Sequence, residues 1–119
     1  MIERVAYPER FFQFWSYTVS WQRLILRSTK SSGVPTRIDI NFLSVDAIKI
    51  SSTFQGLVVR SPTKSESNDI ESDAGFVETD GIHNFYFLES GSGWGYVIAA
   101  GMVIREDEGE YYDESAPIL

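Results

Sequence analysis

The chain has 119 residues, enough for one domain, and it carries 17 Asp and Glu against 10 Lys and Arg with no cysteine. Without thiols there is no disulfide, no thiolate nucleophile and no cysteine-ligated metal site. The net charge of −7 repels phosphate backbones, which argues against a nucleic-acid partner and for a basic one.

The charge is unevenly spread. Residues 1–60 hold eight bases against four acids, and the remainder holds two against thirteen. No charged start leads into an apolar run, and nothing approaches the ~20 apolar residues that a spanning helix needs. A cytoplasmic location and no membrane partner are therefore expected.

Residues 1–10 are mixed, and Pro8 is expected to stop any strand there. Residues 11–27 (FFQFWSYTVSWQRLILR) form the densest aromatic and β-branched run and read as a hairpin turning near Ser20 and Trp21. With Val19 opposite Gln22, Trp15, Tyr17 and Val19 share a face with Leu24 and Leu26. Phe14, Ser16 and Thr18 then share the other with Arg23, Ile25 and Arg27. Residues 28–36 are a loop by their Ser, Gly and Pro content. Residues 37–43 (RIDINFL) alternate, with Ile38, Ile40 and Phe42 inward. Shorter strands are expected over 47–51 and 57–60.

The stretch 61–75 (SPTKSESNDIESDAG) offers almost nothing to bury and reads as a long, mobile acidic loop. A short strand over 75–79 leads to Asp80 and Gly81, a hairpin signal. Residues 82–89 and 95–104 are apolar on both faces, so they are expected to be central strands covered by a second layer or a barrel wall. Residues 90–95 (SGSGWG) join them as a glycine-rich turn. Residues 105–119 read as an acidic, frayed tail, leaving 1–104 as the domain. The expected fold is all-β: about eight mainly antiparallel strands closing as a β-sandwich or a flattened, open barrel.

Phe14, Trp15, Tyr17, Val19 and Ser20, then Leu24, Leu26, Arg27 and Ser28, then Pro35, Thr36, Arg37, Ile38 and Asp39 follow a recognisable order. In that order the chain resembles a group of small uncharacterised bacterial β-rich proteins with the pattern F-x-F-W-x-Y-x-V-S, L-L-L-R-S, P-T-R-I-D. The resemblance covers roughly a quarter of the chain. It implies a bacterial origin and no particular activity.

Candidate binding residues come from this first half. A cross-strand Arg27–Asp39 pair is expected on an outer, exposed face, where such pairs contribute about 0–1 kcal/mol. Adding Arg37, Lys30 and nearby hydroxyls makes a small anion-binding patch, against the plainer reading of a charged hairpin face. His83 is the single histidine, and its alternation with Phe85 and Phe87 suggests a semi-buried ring satisfied by backbone groups. Trp21 and Trp94 fall in expected turns. Trp94 reads as a lid over the core edge, and Trp21 as either a lid or an exposed interface anchor.

Catalytic patterns are weak. No G-x-S-x-G accompanies His83, Gly91, Gly93 and Gly95 lack dinucleotide spacing, and most acids sit where no apolar wall could raise a pKa. Asp69, Glu71 and Asp73 imitate a calcium loop, but the glycine falls one place late; a solvated acidic loop is the competing account. No enzyme activity and no cofactor are expected. The expected function is a binding module for protein–protein interaction, in its concrete form an acidic bacterial inhibitor or immunity-type protein for a basic partner. One alternative is a self-associating homo-oligomer, through unpaired edges at 47–51 or 57–60 and aromatics on both faces of 11–19. Another is a small-molecule or anion-binding β domain with a site in a barrel mouth near His83 or Arg37.

Overall fold

A computed structural model describes residues 4–91 and 93–110. Six strands, β1 (Val5–Thr18), β2 (Arg23–Ser28), β3 (Arg37–Lys49), β4 (Thr53–Arg60), β5 (Asn84–Ser90) and β6 (Gly93–Asp107), make one antiparallel sheet. They follow the order β1-β2-β3-β6-β5-β4, and β4 returns to β1, so the sheet closes into a barrel. Among the described residues one helix, α1 (Lys64–Ala74), connects β4 to β5. No helix among the described residues is long and apolar enough to cross a membrane.

The interior is built by the expected alternation. Leu24 and Leu26 of β2 stand opposite Phe42 and Ile40 of β3, and all four are fully buried with Phe12, Phe54 and Leu88. Burying each such side chain contributes about 1.5–3 kcal/mol, which is what holds the ring closed. Strands β5 and β6 are apolar on both sides because they serve two cores. Tyr86, Leu88, Val97 and Ala99 face the barrel interior, whereas Phe85, Phe87, Tyr96 and Ile98 face outward and pack with Ile70 of α1.

Six strands stand where eight were expected, for two reasons. Residues 37–43 and 47–51 merge into the single strand β3, which bends at Ser44 (φ 52°) and shifts its register against β6 between Val45 and Ala47. The strand expected at 75–79 shrinks to one bridge, Thr79 with His83. Pro8 does not stop β1 either. The ladder to β4 is interrupted between Tyr7 and Phe11, so the missing proline N–H falls where no bond is needed. Gly56 lies opposite this irregularity at φ +74°, where a Cβ would come 2.9 Å from the Pro8 carbonyl oxygen.

The first hairpin keeps the expected register near its turn, Tyr17 opposite Leu24 and Thr18 opposite Arg23. A bulge between Phe14 and Ser16 then reverses the parity. Phe14 comes opposite Leu26, and Trp15 lies under the Arg27 guanidinium, 4.7 Å from its ring centre, instead of beside Leu26. Period-two reasoning cannot anticipate an inserted residue.

The stretch 61–75 is not a loop but mostly α1. Thr63 and Glu66 form a reciprocal capping box: the Thr63 hydroxyl accepts from the Glu66 amide, and the Glu66 carboxylate accepts from the Thr63 amide. Gly75 ends the helix in the left-handed region and donates its N–H to the Glu71 carbonyl. The expected start of the acidic tail also moves, because β6 continues through Asp107; residues 111–119 lie outside the described residues. The edge expected over 57–60 is paired on both sides, to β1 and to β5. Ala47, Ile48 and Lys49 pair with β6 only.

Candidate functional site

The candidates from the first half are brought together on the outside of β2, β3 and β6. Arg27 and Asp39 are direct cross-strand partners, as the pattern anticipates. The expected exposure is wrong: Arg27 is 2% exposed and Asp39 1%. Their contact is a fork, Nε to Oδ1 at 2.7 Å and Nη2 to Oδ2 at 3.0 Å. Arg37 makes a second fork to Asp107, with both bonds at 2.9 Å, and holds that carboxyl below its ordinary pKa. Lys30 pairs with Glu110 at 2.9 Å. Arg10, which was not among the candidates, donates to the Ser28 hydroxyl and the Thr36 carbonyl, both at 2.9 Å. Every cation of the expected anion patch is thus engaged within the chain, and the arrangement works as a charged clamp across the barrel wall.

His83 and Trp21 are elsewhere. His83 is half-buried, edge-on to Phe76, and its Nε2 lies 3.3 Å from a carboxylate oxygen of Asp46, so a side chain rather than the backbone meets the ring. Trp21 is 71% exposed at the β1–β2 turn, with the Arg23 guanidinium 5.7 Å from its ring centre. That places it as an exposed side chain and not a lid.

Two clefts of the molecule lie along α1. Arg60, Phe87, Tyr96 and Lys49 stand side by side across β4, β5, β6 and β3, one lateral row of outward side chains. Helix α1 crosses this row and is fastened at both ends. At its start, Arg60 forks onto Glu66 (2.8 and 3.0 Å), bonds Glu89 at 2.7 Å and lies 4.4 Å from the Phe87 ring centre. The Arg60 bonds, with the Thr63 amide, pull the Glu66 carboxyl down to about 2. Near its end, Asp73 accepts from the Tyr96 hydroxyl at 2.7 Å and from Lys49 at 3.1 Å. Those two bonds lower the Asp73 carboxyl, while burial and Asp73 push Tyr96 up to about 12. Between the fastenings, Ile70 is the buried apolar anchor.

Trp94 borders this helix. It is 58% exposed and stacks nearly parallel on Phe87, with centroids 5.3 Å apart and planes 9° apart. It therefore covers Phe87 from outside rather than closing the barrel interior. Two clefts share Trp94 and Asp69 as walls, one of about 430 Å³ towards Asp73 and Lys49, the other of about 360 Å³ towards Glu66 and Glu89. Asp69, unlike the other three carboxylates, has no hydrogen-bond or ion-pair partner among the described residues.

The sequence did carry a signal for this site in Thr63 and Glu66, three apart and ahead of Ile70, with Gly75 beyond. Once α1 is a helix, Asp69, Glu71 and Asp73 cannot wrap a calcium ion as a loop. No group of three or more acidic or histidine side chains among the described residues is placed to hold a metal. Comparisons with family models, with curated proteins and with solved structures return no match.

Proposed function

We propose that this protein is a non-enzymatic binding module that receives a basic protein in the trench between α1 and Trp94. A small bacterial inhibitor or immunity-type protein that neutralises a basic effector is the concrete form of this reading. The observation that carries it is an exposed tryptophan set among Glu66, Asp69, Asp73 and Glu89, in the half of the chain that holds thirteen of the seventeen acids. An aromatic anchor with charge complementary to its partner is how compact interfaces obtain both affinity and steering. The test is capture at low salt by the wild-type chain and by an Asp69→Lys variant. A basic partner should be captured, should elute as salt rises, and should be lost from the variant by at least about tenfold. Partners that are acidic or indifferent to salt, or equal capture by the variant, would remove the proposal.

Self-association is a second reading, supported by a different surface. Beyond Gln13 and Phe14, β1 has left its partner β4, so residues 16–18 pair with β2 alone. Tyr17, Val19 and Trp21 are exposed beside that edge. An open edge with apolar neighbours favours pairing with a second copy about a two-fold axis. Sedimentation velocity should then show a dimer that Val19→Asp dissociates; a monomer at high concentration dismisses it.

A further inference from the structure

We infer that the group received beside Trp94 is an arginine guanidinium rather than a lysine ammonium, which rests on the trench being the docking site. The chain itself twice completes the same arrangement. Arg27 lies over Trp15 and forks onto Asp39; Arg60 lies over Phe87 and forks onto Glu66. Each unit has an aromatic face, a carboxylate and a planar cation between them. Trp94 and Asp69 supply the first two components, and no cation of the described chain occupies the third place. Arg60 and Lys49, the bases at the two ends of the outward row, are already held by Glu66, Glu89 and Asp73.

The preference for arginine follows from shape and hydration. The near-parallel Phe87–Trp94 stack offers a flat, exposed indole face. A guanidinium is planar, weakly hydrated and able to stack while its N–H fork meets a carboxylate; an ammonium is a compact, strongly hydrated point charge that gains less from such a face. The clefts on either side of Trp94 leave room for the aliphatic stem and its flanking backbone.

The experiment titrates the full chain with nona-arginine and with nona-lysine at the same low salt, followed by calorimetry. Nona-arginine should bind at least about tenfold tighter, and that preference should vanish in Trp94→Ala and in Asp69→Asn while Trp21→Ala retains it. Trp94 and Asp69 are exposed, so these variants are expected to fold, and matching circular dichroism spectra would confirm it. Equal affinity for the two peptides overturns the arginine inference and leaves the docking site standing. A preference that survives in Trp94→Ala also overturns it, and binding of neither peptide overturns both.

Discussion

Asp39→Ala is expected to cost about 3–5 kcal/mol, a large share of the roughly 5–15 kcal/mol that holds a domain together. The reason is what it leaves behind. Arg27 is 2% exposed, pressed over Trp15, and its fork onto Asp39 helps to offset the loss of its water. Removing the carboxylate takes the forked partner from a guanidinium buried in the barrel wall, where a charge that loses such a partner is far more expensive than a missing surface contact. The double replacement Arg27→Met with Asp39→Leu removes both charges and should recover most of the loss. Urea unfolding of the two variants measures both numbers. A penalty under about 1 kcal/mol for Asp39→Ala would show that water reaches the pair and that its burial is not energetic.

That pair also shows how far the sequence could be read. Its shared face followed from parity, because with Leu24 and Leu26 beside Ile40 and Phe42, Arg27 must lie on the same outer face as Arg37 and Asp39; the structure sets it directly opposite Asp39. Its burial did not follow, since alternation separates two faces without saying which is covered. The same limit hid the second core: outward Phe85, Phe87 and Ile98 announce a cover, yet α1 supplies it with only Ile70 and Ala74, too few for a helical period to register. Trp15 was misplaced by a bulge and Pro8 by an interrupted ladder, both of which are set by the partner strand. The trench at Trp94 was illegible for a compound reason, because it exists only where a helix read as loop meets a hairpin read as turn.

The helix that forms one wall of the trench is expected to come away before the barrel opens, because its apolar hold on the barrel is Ile70 and Ala74. Ile70→Ala is expected to cost about 2–5 kcal/mol, the usual range for emptying a buried aliphatic site, and the cost should fall on docking of α1 rather than on the barrel. An 11-residue helix freed from its packing is marginal in water even with a capping box. Amide hydrogen exchange should therefore show protection lost across α1 in the variant while β2 and β3 keep theirs. Acid should act on the same element. Glu66 titrates near 2 when docked on Arg60 and near its ordinary 4.5 when released, so its contribution is intact above the ordinary value and is lost as pH falls through the lower one. In Ile70→Ala, where the released form is populated, α1 should begin to detach closer to the ordinary carboxylate range, and nona-arginine binding should weaken with it. Protection lost evenly from α1 and the strands would instead mean that helix and barrel unfold as one unit, and the trench could not be loosened separately.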